Sequence, residues 1–508
     1  MRESGILLHV SSLPSPYGIG TLGKAAFEFV DFLKRCGQKY WQVLPLGPTS
    51  YGDSPYQSFS VFAGNPYFID IDLLVEDNLL SSDEVNKYLR PVEDEIDYGW
   101  LYNTRFDLFR KAFDNFSKVL KINNEEFTNF NRFKEQNKHW LINYSLYMSI
   151  KKSLSNSSWL SWEDKYKLRD YETIQNYIKD NESEITYWTF LQYQFFKQWN
   201  ELKKYANYNG IKLIGDMPIY VALDSCDVWS DPKNWLLDEE LKPKCVAGVP
   251  PDLFSSTGQL WGNPIYNYEL MKKDNYSWWI KRIKESFRLY DVVRIDHFRG
   301  FESYYSIPYG HETAMYGEWV KGPGIDLFNK IKDELGELDI IAEDLGFLTE
   351  DVHILLKKSG FPGMKILQFA FDANDDSCYL PHNYEANSIS YTGTHDNMPL
   401  KEWIQTTDDY SLKFACEYLG CDNIDVRSND KIDEFIDKLI KLVLSSVSNR
   451  VIIPINDYLH LGKESRLNTP SKLGGNWTWR LDPKLLTKEL EDKIFNFIRF
   501  CGKFFKGG

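Results

Sequence analysis

Three stretches of this sequence run an apolar, β-rich segment into carboxylates. They are Val292-Val293-Arg294-Ile295-Asp296-His297, Leu338-Asp339-Ile340-Ile341-Ala342-Glu343-Asp344 and Ser388-Ile389-Ser390-Tyr391-Thr392-Gly393-Thr394-His395-Asp396-Asn397. Short β-branched runs with polar ends read as buried strands that deliver polar groups at their C-terminal tips. Side chains alternate along a strand, so Arg294 and Asp296 share a face. A guanidinium one pleat away favours the ionised carboxylate, so Asp296 is expected below the ordinary carboxylate pKa. An oriented anion suits a nucleophile or a metal ligand; a plain ion pair tying strands together would use the same residues. Glu343 follows an apolar approach and has acidic neighbours in Asp344 and, across the pocket, Asp296. Both influences raise its pKa, as a general acid/base requires.

One carboxylate held anionic and one held protonated, about 5 Å apart, is the requirement of retaining glycoside chemistry. Asp396 would then hold sugar hydroxyls and favour a distorted, oxocarbenium-like ring. His297 and His395 could donate hydrogen bonds to that ring. A lone His or Asp at a strand tip is usually structural. Six ionisable residues (Asp296, His297, Glu343, Asp344, His395, Asp396) arriving from three strands are harder to explain that way.

Positioning these tips requires a common rim. Strands are expected at Gly5–Val10, Trp41–Leu46, Ile211–Tyr220, Val292–Asp296, Leu338–Glu343, Met364–Phe371, Ser388–Thr392 and Arg450–Ile455. Helical patterns fill most of the gaps, at 25–36, 276–289, 326–335, 349–359 and 432–446. Eight strands alternating with helices predict an α/β fold, a (β/α)8 TIM barrel, whose catalytic groups come from several strand ends at one face. The chain is about twice the roughly 250 residues of a plain barrel. The excess is expected in the loops after strands 2 and 3: a mainly helical insertion subdomain over 75–205 and a cleft-lining insertion over 221–275. The whole, 1–508, reads as a single catalytic barrel, with too little chain after Ile455 for a C-terminal β-domain.

Composition sets outer limits. A hydrophobic fraction of 43% over 508 residues supplies a large core. The net charge of −14 argues against generic binding to nucleic acid or anionic membranes. Aromatic residues reach 16%, with 16 Trp, which suits stacking against pyranose rings as well as core packing. Seven scattered Cys without a CxxC pair disfavour a disulfide framework or a zinc site and suit a reducing compartment. The apolar run Ile6–Val10 is too short for a signal sequence, and nothing approaches a membrane span. A cytoplasmic enzyme is expected.

The segments GDMPIYVALDSCDVW, VVRIDHFRG, IIAEDLG and YTGTHDN resemble the four signature regions of the 4-α-glucanotransferases, glycoside hydrolase family 77, which includes amylomaltase and the plant disproportionating enzyme. SSLPSPYGIG, DSPYQSFSVFAGNPYFI, GVPPD, GQLWGNPIY, RLNTP and NWTWR match in order, so the resemblance spans nearly the whole chain. It is loose only over 80–205, from which no site is carried over. The resemblance implies Asp296 as nucleophile, Glu343 as acid/base and Asp396 as transition-state stabiliser. It further implies sugar contacts from Ser54, Tyr56, Asp216, Gln259, Trp261, Arg294, His395 and Asn468, with Asp252 and Asp372 lining the same cleft; His297 and Asn397 join them as candidates. Malto-oligosaccharides, amylose or starch-type glucans would be the partners. No metal and no organic cofactor are expected.

Three rivals share parts of this pattern. An α-amylase-like hydrolase would use the same three carboxylates but is disfavoured by the GVPPD and NTP loops and the missing tail domain. A metal-dependent barrel isomerase could use the same Asp, Glu and His residues, but Arg294 aimed at the site would repel a divalent cation. A catalytically dead carbohydrate-binding barrel is unsupported, since all three carboxylates are present.

Overall fold

The computed structural model describes residues 2–50, 52–251, 255–346, 348–371, 377–421, 425–428, 430–470, 472 and 474–503. Twelve strands occur among them: β1 (Glu3–Leu7), β2 (Tyr40–Gln42), β3 (Lys212–Met217), β4 (Cys245–Val249), β5 (Gln259–Pro264), β6 (Val292–Ile295), β7 (Ser303–Pro308), β8 (Glu318–Lys321), β9 (Ile340–Ala342), β10 (Gly363–Ile366), β11 (Ser388–Tyr391) and β12 (Arg450–Pro454).

Eight of them form one parallel sheet in the order β10-β11-β12-β1-β2-β3-β6-β9. Its two ends meet where the Ala342 N–H donates to the Pro362 carbonyl at 3.0 Å, so the sheet curls into a barrel. The strands are apolar because both faces are covered: side chains fill the inside and helices pack outside. The helix Ile432–Ser445 shows the outer packing. It buries Ile432, Phe435, Ile436, Leu439, Ile440, Val443 and Leu444, a stripe at helical spacing. Each such side chain contributes about 1.5–3 kcal/mol on burial. A single Leu439→Ala truncation at its centre would cost about 2–5 kcal/mol.

Segment 75–205 folds mainly as helices, the longest being Tyr98–Ile122, Asn124–Ser153 and Glu182–Tyr208. Two glutamines of the last helix fasten it to the loop after β2. Gln192 accepts from the Gly64 N–H and donates to its carbonyl, and Gln198 does the same for Asp70. Gly64 has to be glycine there, since a Cβ would lie 2.0 Å from the Phe195 ring. An ion pair between buried Lys151 and half-buried Asp224, at 2.6 Å, adds a tie to the loop after β3. No helix of the described residues is long and apolar enough to cross a membrane.

The structure departs from the sequence reading in several places, and the strands expected over Gly5–Val10 and Ile211–Tyr220 end at Leu7 and Met217. Segment 221–275, expected as a cleft-lining insertion without strands of its own, contains β4 and β5, which join β7 and β8 in an antiparallel sheet ordered β5-β4-β7-β8. These strands are short and interrupted by Gly248, Gly262 and Pro264, so their alternation is too brief to register. Part of the excess chain therefore follows the fourth barrel strand as well. The strand expected over Met364–Phe371 stops at Ile366, and a 3-10 turn takes over from Leu367. The second strand ends at Gln42, not Leu46, because Pro45 and Pro48 bracket a loop.

Candidate active site

Register explains the charge arrangement at the barrel mouth. β3 and β6 pair so that Asp216 lies directly across from Arg294. Arg294 Nη1 donates to both Asp216 oxygens, at 2.7 and 2.6 Å, and lies 3.0 Å from Asp296 Oδ1. The side chains of Arg294 and Asp216 are 3% and 0% exposed, so this is a buried pair. Removing one partner of such a pair costs about 3–5 kcal/mol, because the other charge stays buried alone.

Arg294 is thus shared between two carboxylates, which corrects the expectation for Asp296. Burial raises its pKa, Arg294 opposes this, and Asp216 and Asp396 raise it further; the carboxyl ends at about 6, above the ordinary range. Glu343 behaves as expected in direction. Burial and then the Asp296 charge push it up to about 8, against Arg294 and two main-chain amides. Those amides are the Leu345 N–H on Oε1 at 2.8 Å and the His297 N–H on Oε2 at 2.6 Å. Asp344 does not join the cleft. It turns under β10, where its Oδ1 accepts the Met364 N–H at 2.6 Å, and its role is structural.

Asp396 lies five residues beyond β11, in a turn clamped by Asn397. The Asn397 Oδ1 accepts from the Thr394 N–H at 2.8 Å and from its hydroxyl at 2.9 Å. Burial raises the Asp396 pKa, but His395 Nε2 at 3.3 Å, the Asn468 amide at 2.6 Å and Arg294 outweigh it. The carboxyl is held well below the ordinary range. His395 also meets the Tyr56 hydroxyl at 2.8 Å, and that hydroxyl donates to Asp216 Oδ2 at 2.8 Å. With the hydroxyl proton on Asp216, the single His395 Nε2–H is shared between the Tyr56 oxygen and Asp396 Oδ2. A continuous chain therefore runs Arg294–Asp216–Tyr56–His395–Asp396–Asn468. Its members come from β6, β3, the loops after β2 and β11, and the segment after β12.

The remaining candidates frame the cleft. Ser54 Oγ accepts from the Tyr56 N–H at 3.2 Å and shapes that loop. Gln259 and Trp261 stand on β5, with the indole N–H donating to Gln259 Oε1 at 3.2 Å. Trp261 meets His297 edge-on, with centroids 4.8 Å apart. Burial lowers the His297 pKa to about 3, so this imidazole is neutral. Asp252 and Asp372 lie outside the described residues. Trp477, quoted above only within NWTWR, packs against both Tyr56 and His395, with centroids at 5.8 and 5.9 Å. The sequence had marked its motif without showing what the ring touches.

Comparison with known proteins adds an independent line. The family model described as 4-alpha-glucanotransferase, glycoside hydrolase family 77, matches residues 8–487. A 4-alpha-glucanotransferase of Clostridium butyricum is 50% identical over 499 residues, covering 98% of this chain and 100% of that one. The chain belongs to the 4-alpha-glucanotransferase family. It is accordingly an enzyme, a transferase of class EC 2.4.1.25. A Thermus thermophilus 4-alpha-glucanotransferase is 44% identical over 490 residues, with 96% of each chain covered. Among solved structures, amylomaltase from Streptococcus agalactiae in complex with acarbose superposes with a TM-score of 0.94 at 40% identity, covering 99% of this chain and 100% of that one. Amylomaltase from Corynebacterium glutamicum, 17% identical with a TM-score of 0.82 over 98% of this chain and 75% of that one, shares the fold.

Among the described residues, no group of three or more His, Cys, Asp or Glu is arranged to hold a metal ion. For this 4-alpha-glucanotransferase family member, exhaustive EDTA treatment is expected to leave the transfer rate unchanged, because carboxylates answer the positive charge that develops on the sugar. Loss on chelation with recovery on adding a divalent cation would favour the metal-dependent rival.

Proposed function

We propose that the chain moves segments of α-1,4-glucan from a maltodextrin donor to the 4-hydroxyl of glucose or another maltodextrin, through a covalent intermediate on Asp296. The observation behind this is the unequal pair of carboxylates: Asp296 in contact with Arg294, and Glu343 buried with a higher proton affinity. In the first step Asp296 attacks the anomeric carbon while Glu343 gives its proton to the departing glycosidic oxygen. The bond to the leaving sugar breaks as the ester to Asp296 forms. In the second step Glu343, now anionic, takes the proton of the acceptor's 4-hydroxyl as that oxygen displaces Asp296. Configuration is retained over the two displacements. Asp396, kept anionic beside His395, would hold ring hydroxyls and favour the flattened, cation-like ring.

The likeness to an amylomaltase structure that holds acarbose supports a cleft for malto-oligosaccharides, amylose and related glucans. Strand β5, with Gln259 and Trp261, would supply one wall of that cleft. Transfer competes with water at about 55 M, so a millimolar acceptor prevails only where the site holds it and keeps solvent out. Trp261 would stack the acceptor. Loop 249–251 and Asn468–Pro470, rich in proline, would help to close the site.

Incubation with pure maltotriose tests the reading. The expected products are glucose and a ladder of longer maltodextrins, with total reducing ends nearly constant. Steadily rising reducing ends, with nothing longer than the starting sugar, would make the enzyme a hydrolase.

A further inference from the structure

Glu343 is bound at three points to the end of β6 and the segment that follows it. Its main-chain N–H donates to the Ile295 carbonyl, and its carbonyl accepts from the Phe298 N–H, both at 3.0 Å. The first continues the β6–β9 pairing, whose register ends at Ile295 opposite Ala342; the second reaches the 3-10 turn Phe298–Phe301. Between them, the His297 N–H leaves the register and donates to the Glu343 side chain at 2.6 Å. The departure coincides with an unusual backbone: His297 has φ 52° and ψ 50°, in the left-handed region. Most L residues avoid this region, whereas His, Asn and Asp are several-fold enriched in it. The fit is close: a Cβ on Gly300 would lie 3.2 Å from His297 Cδ2.

We propose that His297 is a positioning residue for the acid/base, acting through its left-handed main chain, which aims an amide at Glu343 Oε2 and fixes the orientation and proton affinity of that carboxyl. This rests on the acid/base reading of Glu343. The two amides, from His297 and Leu345, occupy one lone pair on each oxygen and leave another on each for the transferred proton. Both favour the anion and so oppose the rise that burial causes. The other groups that bear on Glu343 are Asp296 and Arg294 from the β6 segment and the Tyr379 phenol from beyond β10. The His297 imidazole is neutral, so its removal takes no charge away. His297 therefore has two separable roles: a side chain facing Trp261 and a main-chain conformation serving Glu343.

Three substitutions distinguish the roles, since all remove the imidazole but differ in backbone tolerance. His297→Gly and His297→Asn accept the left-handed conformation, whereas His297→Val, β-branched, resists it. The pH dependence of kcat/KM is measured with maltotriose and with α-maltosyl fluoride, whose leaving group needs little protonation. The Gly and Asn variants are expected to keep the parent's basic limb and to lose similar factors on both donors. The Val variant should shift that limb upward by about one pH unit, because two or three such amides lower a carboxylate by roughly two units. It should also fall at least about tenfold below the Gly variant on maltotriose while matching it on the fluoride. If Val does not fold, His297→Ala replaces it, with the same direction and a smaller shift. An identical basic limb and an identical donor ratio in all the variants would overturn the proposal. Glu343→Gln, assayed beside them, locates the failure. Equal losses on both donors would remove the acid/base reading itself; a donor-dependent loss there, without one among the His297 variants, would remove only the positioning role.

Discussion

Asp296→Asn is expected to lower maltotriose turnover on the order of 10⁴-fold or more while the protein remains folded and still binds maltodextrin. The size follows from the role. Under the proposed mechanism no covalent intermediate forms without a carboxylate at this position, and the surviving groups can only bind and polarise. The same proposal spreads binding along the cleft through Tyr56, Gln259, Trp261 and Asn468, so affinity should survive the loss of one oxygen. Stability should not fall either. A carboxyl whose folded pKa lies above its unfolded value makes the folded state less stable once pH exceeds the unfolded pKa, because the anion is disfavoured in the fold. Burial raises Asp296 in this way, and an uncharged amide removes the penalty. Arg294 keeps Asp216 as its partner, so no cation is stranded. The thermal midpoint at pH 7 should therefore equal or exceed the parent's. Turnover within tenfold of the parent, in a preparation free of contaminating enzyme, would withdraw the assignment.

The same residue shows how far the sequence could be read. Arg294 and Asp296 are two apart on one strand, so their common face follows from strand geometry alone. What their contact does to the pKa does not follow. The outcome depends on Asp216, far off in the chain, which the β3–β6 register brings opposite Arg294 to compete for the guanidinium. Asp344 illustrates the reverse error. It neighbours Glu343 in sequence, but alternation sends it to the other face, onto the Met364 amide. The barrel was legible because its strands are apolar and spaced by amphipathic helices. The small sheet of β4, β5, β7 and β8 was not, since its central β4–β7 pairing joins segments far apart in the chain and β4 and β5 carry glycine. The Tyr56–His395 contact and the left-handed turn at His297 are likewise tertiary results: nothing in DHFRG announces a positive φ.

Glu343→Gln should divide donors by their leaving groups. General acid catalysis contributes about 10²–10⁴-fold where the leaving oxygen must be protonated, so maltotriose turnover should fall by about that factor. With α-maltosyl fluoride the first step needs little protonation, and the loss there should stay below about tenfold. The second step is then slowed, because glutamine cannot take the proton from the acceptor's 4-hydroxyl, and the glycosyl-Asp296 ester should accumulate. Azide, already an anion, needs no base. It should restore turnover by displacing Asp296 to give an α-maltosyl azide, an outcome open only to a covalent intermediate. The pH profile supplies a second check. Under the proposed roles, activity in the parent requires Asp296 anionic and Glu343 protonated, which gives a bell between two apparent pKa values that belong to the pair. Burial lifts both carboxyls, and their mutual repulsion keeps the second proton bound longer, so both limbs should lie above the ordinary carboxylate range. In the Gln variant with the fluoride donor, the basic limb should vanish. The acidic limb should stay close to the parent's, because Glu343 is still protonated and neutral while Asp296 loses its proton, and a neutral amide changes little there. Equal losses on both donors, no azide product and an unchanged basic limb would together show that Glu343 is not the proton donor.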